Sequence, residues 1–215
     1  MGDHESISRY FTYLMQMGPA RGYFPEPTKS ILKVQPENRE HATAALVHLG
    51  FTIVAGARYL GGHIGTDAER DECVQGKFAS WVEGVEALSR VAQPSPQCAF
   101  VGLQKSLQSI WMHLQRVIGD TGDAFTPIET VIHSKFLPAL FDTPLAILPD
   151  LRTLLSLPVK KSGIRLPNPI TAAPHNHTSS KEYTSVLTNA LLASEGWSIN
   201  DHQHAMHEGR VDDRL

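Results

Sequence analysis

The feature that most constrains the fold of this chain is the regular spacing of apolar residues between positions 66 and 140, which matches the period of an α-helix. Three stretches there space apolar side chains three or four residues apart, which is the spacing of one buried helix face. Three such helices with short connections predict a helical bundle. The predicted inward residues are Val74, Phe78, Trp81, Val82, Val85 and Leu88, then Leu103, Leu107, Ile110, Trp111, Leu114 and Val117, then Ile128, Val131, Ile132, Phe136 and Leu140.

Two capping-box patterns indicate where helices of this bundle begin. Thr66 precedes Glu69 by three residues, and Thr126 precedes Glu129 in the same way. In a capping box the threonine oxygen and the glutamate bond reciprocal backbone amides at the start of a helix. Pro127 strengthens the second signal, because proline is favoured at the first helical position.

Residues 1–65 show a different pattern, in which short apolar runs alternate with helical stretches. A first helix ends at Gly18, and a second runs from 36 to 48. Strands are predicted at 30–34, 51–54 and 58–64, which gives the order αβαββ and a small α+β layer. The first helix is predicted to face inward with Ile7, Tyr10, Phe11, Leu14 and Met15.

The C-terminal segment is rich in proline and only partly helical. A short helix is predicted around 151–155, one capped by Ser179 and Ser180 with Val186, Leu187, Ala190 and Leu191 inward, and one capped by Ser198. The predicted fold class is therefore α+β and mostly α. Its predicted segments are 1–65, 66–148 and 149–215.

Composition and charge exclude several classes of protein. The 215 residues carry 19 Lys and Arg against 22 Asp and Glu, so that any nucleic-acid contact would rest on a few placed cations. No apolar run approaches the ~20 residues of a membrane helix, and no signal peptide is evident, which predicts an intracellular protein. Cys73 and Cys98 lack metal-ligand spacing and are predicted to be buried small hydrophobes.

Histidines and tryptophans are given structural interpretations. His202 and His204 lie about 200° apart on a helix, so only His204 and His207 share a face, fewer ligands than a zinc site needs. The triplet 175–177 (His-Asn-His) is placed in a proline-flanked loop, and no metal site is predicted. Trp81 and Trp111 lie within apolar stripes, which favours core packing over base stacking.

Residues 58–65 are the strongest candidate for a site, with an aromatic residue and two adjacent glycines in an apolar strand. Glycine lacks a Cβ, so a Gly-Gly pair lets another backbone or a sugar-phosphate approach closely. The segment comes directly before the first long helix. It is interpreted as a surface that meets a partner.

Three motifs in order resemble the distal half of a reverse transcriptase from a retrotransposon-like element. Residues 22–32 are similar to the fourth palm motif, in which a loop ends in Lys and continues into a strand. Residues 58–65 are similar to the primer-grip hairpin, and residues 157–169 to the segment that follows the thumb. Ser162 and Arg165 stand where that segment usually has glycines.

The resemblance implies a palm remnant followed by a helical thumb. In this family the essential carboxylates lie upstream, in a Tyr-x-Asp-Asp hairpin and an earlier strand, and hold two Mg²⁺ ions. The chain begins just after the place where that hairpin would end. We therefore expect no bound Mg²⁺ and no polymerase activity from this chain alone, with an RNA/DNA template-primer and the missing N-terminal polymerase half as partners.

The resemblance also assigns roles to individual residues. Lys29 would be the basic group near the leaving phosphates, and Arg58 could contact a phosphate. The residues that would abut the primer terminus are Tyr59, Leu60, Gly61 and Gly62. The alternative for Lys29 is an exposed lysine at the entry to a strand. For the whole chain, one alternative is a helical interaction module with no nucleic-acid role, in which the Trp81 and Trp111 faces pack internally or against a protein partner. The other is a decayed copy without function.

Overall fold

The computed structural model describes residues 3–143, 149–194 and 196–212. The described chain is mostly helical, with four short strands in two two-stranded sheets, which confirms the predicted class of α+β and mostly α. It divides into two compact units, Met1–Cys73 and Val74–Leu215. The predicted limits at 65 and 148 stay predictions, and residue 148 lies outside the described residues.

The first unit contains two helices and both small sheets. β1 and β2 are parallel with Ile31 opposite Thr52, whereas β3 and β4 are antiparallel with Ala57 opposite Ile64. The elements are α1 (His4–Met17), β1 (Ile31–Lys33), α2 (Arg39–Leu46), β2 (Thr52–Val54), β3 (Ala57–Tyr59) and β4 (Gly62–Ile64).

Helix α1 begins at an Asp3 cap, whose side chain accepts a hydrogen bond from the Ser6 amide at 2.7 Å. Phe11 is buried, and its ring packs edge-on against Phe51 with 4.5 Å between centroids. The prediction that Tyr10 and Met15 also face inward is wrong, since they are 66% and 40% exposed. The small core of this unit covers only the Phe11 side of the stripe.

The prediction of one strand across 58–64 is also wrong. The segment forms a hairpin, in which β3 and β4 are joined by a turn at Leu60 and Gly61. Both turn residues have positive φ, +47° and +86°, as a type I′ turn requires at its two central positions. The order αβαββ therefore gains a strand.

Helices make up the second unit, and the first of them begins at Asp67, before the limit of the unit. The elements are α3 (Asp67–Ala92), α4 (Pro96–Gly102), α5 (Gln108–Val117), α6 (Thr126–Val131), α7 (Leu137–Leu140), α8 (Pro149–Ser156), α9 (Pro169–Ala193) and α10 (Ile199–Asp212). Among the described residues, no helix is both long enough and apolar enough to cross a membrane.

An aromatic cluster lies in the core of the second unit. Phe78 packs edge-on against Phe125 at 4.7 Å, and Trp81 lies 6.4 Å from Trp111 between ring centroids. Both tryptophans are buried, which confirms their interpretation as core residues. Burying a large apolar side chain stabilises a fold by about 1.5–3 kcal/mol, so this cluster anchors the unit.

A single π turn at Leu103–Leu107 joins α4 to α5 and changes which residues face the core. The turn closes with a hydrogen bond from the Gln108 amide to the Leu103 carbonyl, five residues back. The extra residue rotates the downstream face, so Gln108 is buried while Ile110 and Val117 are exposed. The prediction that Ile110 and Val117 face inward is therefore wrong. A second π turn, Ile132–Phe136, joins α6 to α7.

Of the two predicted capping boxes, only the first forms. The Thr66 hydroxyl donates to Glu69 Oε2 at 2.9 Å, and the Thr66 amide reaches the same oxygen at 3.2 Å. Thr126 instead donates to the Asp123 carbonyl at 2.7 Å, because the 3₁₀ turn Asp123–Phe125 runs directly into α6. Glu129 forms an ion pair with Arg152 rather than a cap.

Helix α9 overturns three predictions for the C-terminal segment. It begins at an Asn168 cap and continues through Pro174, so Ser179 lies inside the helix and caps nothing. The triplet 175–177 is accordingly helical rather than in a loop. Within this triplet, the side-chain amide of Asn176 donates a hydrogen bond to Gln115 Oε1 at 2.8 Å, which links α9 to α5. Leu191 is 81% exposed and does not face inward.

The predictions for the shorter helices and the cysteines have mixed outcomes. Helix α8 confirms the short helix predicted around 151–155, and Ser198 caps α10 through the Asp201 amide at 3.3 Å. Cys73 and Cys98 are both free thiols. The prediction that Cys98 is buried is wrong, because the first turn of α4 turns Ala99 to the core and leaves Cys98 exposed.

Candidate functional site

The β3–β4 hairpin presents its tip to solvent. Arg58 is opposite His63, and Tyr59 is opposite Gly62. Tyr59 is 62% exposed and Leu60 is 78% exposed, so two large apolar side chains that are adjacent in sequence are both open to solvent at the tip. The hairpin therefore offers an aromatic ring, an aliphatic side chain and a guanidinium on one small projection.

The two turn residues of the hairpin differ in how well they suit its backbone. Gly61 adopts φ +86° without steric cost, because glycine has no Cβ. Leu60 adopts φ +47°, a left-handed conformation that costs a residue with a side chain about 1–2 kcal/mol. The glycine pair was predicted to open a strand to close approach, whereas Gly61 serves the turn and Gly62 begins β4.

Lys29 lies at the end of the 3₁₀ turn Pro27–Lys29, just before β1. Its side chain is 77% exposed, and its Nζ atom lies 2.7 Å from a Glu26 carboxylate oxygen. Exposed ion pairs of this kind stabilise a fold little and exchange readily with other partners. The structure thus brings the predicted residues from Arg58 to Gly62 together in the hairpin. It places Lys29 elsewhere in the chain, just before β1 of the parallel sheet.

The base of the hairpin contains a histidine that was not predicted as part of the site. Both ring nitrogens of His63 are buried without a hydrogen-bond partner among the described residues. The imidazole fits only because Gly56 and Gly65 flank it: a Cβ on Gly56 would lie 2.8 Å from His63 Nε2, and one on Gly65 2.7 Å. Glycines just outside both strands of a hairpin were the sequence signal for this close packing.

A carboxylate at the hairpin base is held in its charged form. Hydrogen bonds from the Thr66 hydroxyl and then the Thr66 amide lower the pKa of Glu69, and the charges of His63 and Arg39 lower it further. The same oxygen, Oε2, lies 2.6 Å from the position of a Cβ on Gly56. The helix cap and the base of the hairpin are therefore one connected structure.

The third motif forms a tight loop between α8 and α9. Ser162 and Arg165 have φ of +64° and +57°, the left-handed conformation that favours glycine. Ser162 and Arg165 stand at the positions where the segment that follows the thumb usually has glycines. The backbone of this chain therefore adopts the left-handed conformation there without glycine. Gly163 between them is buried and would place a Cβ 2.7 Å from the Leu154 carbonyl oxygen, with the Leu157 carbonyl closer still.

Potential metal ligands do not gather in the part of the chain that the structure describes, where no three His, Cys, Asp or Glu side chains form a group suited to an ion. His204 and His207 both lie on α10, and Glu69 is engaged by Thr66. A two-metal site needs several carboxylates around one position. The described residues near the hairpin therefore do not fit the Mg²⁺ pair of a polymerase.

Comparison with known proteins yields no relative: no family model, curated protein or solved structure matches this chain.

Proposed function

We propose that this chain is part of a reverse-transcriptase-like protein and positions a nucleic-acid end without supplying the catalytic carboxylates. The observation that supports the proposal best is the exposed hairpin tip, with Tyr59 and Leu60 turned to solvent beside Arg58. These side chains remain accessible to a ligand. Two left-handed residues fix the turn that carries them.

The chemistry of the tip suits a primer terminus. An aromatic ring such as Tyr59 can stack on a base, and base stacking on an aromatic side chain is worth about 1–3 kcal/mol. Arg58 can contact a phosphate, a contact that fixes position without reading sequence. Lys29 would approach the leaving phosphates and would exchange its Glu26 partner for them.

Catalysis in this proposal belongs to another polypeptide segment. Two metal ions would activate the primer 3′-hydroxyl and stabilise the leaving pyrophosphate. The carboxylates for those ions would come from an N-terminal polymerase half that acts as a partner of this chain. We therefore expect the chain alone to hold a template-primer and to extend none.

The experiment is binding of a fluorescent RNA–DNA hybrid with a recessed primer end, measured over a series of salt concentrations. Arg58→Ala should lower the affinity and should reduce the slope of log K against log salt by about 0.9, because one phosphate contact is lost. Arg21→Ala is the matched control, since Arg21 is exposed in the same unit and has no assigned contact. No binding at about 50 mM salt would contradict the proposal.

Two further measurements separate the turn from its side chains and binding from catalysis. Leu60→Asn should preserve the hairpin, because Asn-Gly is a preferred type I′ pair, while it removes the aliphatic side chain from the tip. Weaker binding with an intact fold would assign Leu60 to the contact. A primer-extension assay with Mg²⁺ should show no incorporation, and incorporation above background would contradict the missing-carboxylate part of the proposal.

A helical protein-interaction module is the second candidate, and exposed apolar residues of the second unit favour it. Leu191 and Leu192 are 81% and 80% exposed, and Trp197 is 51% exposed. Trp81 and Trp111, in contrast, pack internally and are excluded as its contact surface. Absence of hybrid binding, together with self-association that Leu191→Gln abolishes, would favour this function.

A further inference from the structure

A long stretch of the second unit carries positive charge alone. Residues 151–181 contain five Lys and Arg and no Asp or Glu, in a chain whose formal net charge is −3. Arg152 is neutralised internally by Glu129. Three of the remaining cations belong to one loop, Val159–Arg165, which we call the basic loop: Lys160, Lys161 and Arg165, all exposed.

The basic loop is held by a dense set of backbone hydrogen bonds. The Lys161 and Gly163 amides both donate to the Pro158 carbonyl, at 2.8 and 3.2 Å. The Arg165 amide donates to the Leu157 carbonyl at 2.9 Å. These bonds fold the loop back on the end of α8, so the loop does not need to become ordered when it binds a ligand.

A buried ion pair fixes the far end of the basic loop. Arg152 donates to both carboxylate oxygens of Glu129, at 2.7 and 2.8 Å, and its third nitrogen donates to the Leu166 carbonyl at 2.7 Å. The side chains of Arg152 and Glu129 are only 7% and 12% exposed. Burial of Gly163 adds a second constraint. Preorganised groups bind with a smaller entropic cost.

We infer that the basic loop binds the sugar-phosphate backbone of a nucleic acid, as a contact region additional to the hairpin. The inference rests on the proposed function and extends it to the second unit. A nucleic-acid strand presents a negative charge every few ångströms, so a short loop with three cations can contact two or three phosphates. Contacts of this kind add affinity and hold the strand, without selecting its sequence.

A membrane surface and a protein partner suit the loop less well than a nucleic acid does. Binding at a membrane surface uses either an amphipathic helix or a cluster of about four to eight cations. The loop has three cations and exposes one apolar side chain, Val159, at 73%. A stable protein interface buries about 800 Å² on each partner, more than one seven-residue loop provides. A linear polyanion matches both the size of the loop and its charge.

The test uses the whole chain and the same fluorescent hybrid over a series of salt concentrations. Lys160→Gln/Lys161→Gln removes two cations at exposed positions that impose no special backbone conformation. The slope of log K against log salt should fall by about 1.4–1.8, and the affinity at low salt should fall about tenfold. Arg165→Asn adds a third change, because asparagine tolerates the left-handed conformation.

The matched control is Lys105→Gln/Arg116→Gln, which removes the same charge from exposed positions in the same unit. The control should keep the slope and affinity of the unaltered chain, and far-ultraviolet circular dichroism should show equal helix content in all variants. A slope reduced equally by the control and the loop variant would overturn the inference, because net charge alone would then explain the binding.

The remaining outcomes separate this inference from the proposed function. If the chain binds the hybrid, and Arg58→Ala weakens that binding while Lys160→Gln/Lys161→Gln does not, the inference is wrong and the proposed function stands. If only the loop variant weakens binding, the inference stands and the hairpin contact is wrong. No binding at low salt overturns both. Binding of the loop to phosphatidylserine vesicles but not to the hybrid would assign it to a membrane surface instead and overturn the inference.

Discussion

At the scale of single residues, Gly163 is the position in the basic loop where an added methyl group would clash with the backbone. Its Cβ would clash with two backbone carbonyls of the α8 end, which cannot move independently of the helix. We predict that Gly163→Ala lowers the free energy of unfolding by about 3 kcal/mol, the upper range for overpacking. Denaturant unfolding followed by tryptophan fluorescence measures this change.

The control for this substitution is Gly76→Ala. Gly76 lies inside α3, where a Cβ would meet no atom within 4 Å. Alanine there should raise the free energy of unfolding by about 0.5–1 kcal/mol, because the unfolded chain loses conformational freedom. Equal effects of the two substitutions would contradict the close packing at Gly163.

A second prediction at this scale concerns the acid stability of the hairpin base. The folded-state pKa of Glu69 lies below its ordinary value, so the folded protein binds fewer protons there than the unfolded chain. Its stabilising contribution is complete above the unfolded-state pKa and is lost as the pH falls through the folded-state pKa. Glu69→Gln should therefore lose less stability than the unaltered chain between pH 6 and pH 3, measured by urea unfolding.

Thr66→Ala tests the cause of that pKa shift. The Thr66 hydroxyl makes the largest contribution to lowering the pKa of Glu69, so its removal should flatten the same pH dependence. A Glu69→Gln protein whose stability falls in parallel with that of the unaltered chain would show that other carboxyl groups dominate.

Some residue-scale features could be predicted from the sequence and others could not. The Thr66–Glu69 cap follows a strand and a turn, so its pattern had one reasonable meaning. The same pattern at Thr126 failed, because the preceding 3₁₀ turn already held the threonine hydroxyl. His63 was missed, because the glycine signal at positions 56 and 65 has this meaning only once the segment is known to be a hairpin, and the sequence predicted a single strand.

At the scale of secondary-structure elements, the ion pair between α6 and α8 gives a sharp prediction. Arg152→Met should lower the free energy of unfolding by about 3–5 kcal/mol, because it leaves the Glu129 carboxylate buried and unpaired. The double change Glu129→Leu/Arg152→Met should recover much of that loss, since no charge then remains buried. Guanidinium unfolding of the single and double variants measures both values.

The exposed pair between Lys135 and Glu86 is the control. Its atoms lie 2.7 Å apart, as close as those of the buried pair, but the side chains are 56% and 33% exposed. Lys135→Met should therefore change stability far less than Arg152→Met. Similar losses from both would contradict the importance of burial.

Elements with a long apolar period were predictable, and interruptions of that period were not. Trp81 and Trp111 lie on the faces that the sequence indicates. The π turn before Gln108 shifts the buried face of α5 by one residue. The sequence still has an apolar residue at nearly every position that an uninterrupted helix would bury, so Ile110 was assigned to the core although it is exposed. Ser179 resembled a cap because serine followed three residues later by glutamate also occurs within a helix, and Ser179 is a buried residue inside α9.

At the scale of the whole molecule, the two units differ in how much apolar surface they bury. The buried hydrophobic residues described in the first unit are Phe11, Ala42 and Leu46, whereas the second unit has a large aromatic and aliphatic cluster. Regions with few buried contacts open at lower free energy. We predict faster hydrogen exchange for amides of β1–β4 than for amides of α5 and α6.

Mass spectrometry of exchanged peptides measures this difference, with a fully denatured sample as the reference for intrinsic exchange rates. Uniform protection across both units would contradict it. Tryptophan fluorescence is unsuited to the comparison, because Trp81, Trp111 and Trp197 all belong to the second unit.

The overall class was predictable, since helix period dominates the sequence after residue 66, whereas the separation into two small sheets was not. Strand pairing depends on contacts between distant residues, and three-residue strands carry too little pattern to show them. The parallel pairing of Ile31 with Thr52 is an example.

The π turn at Leu103–Leu107 has a consequence for insertions and deletions in this chain. It accommodates one residue more than an uninterrupted α-helix would need to carry Ala99, Leu103, Trp111 and Leu114 on one side. Deleting Ser106 would therefore convert the turn to α-helix and keep Trp111 facing inward. Deleting His113 would instead rotate every later residue by about 100°. Homologous sequences should accordingly tolerate a one-residue gap in this turn and reject one in α5.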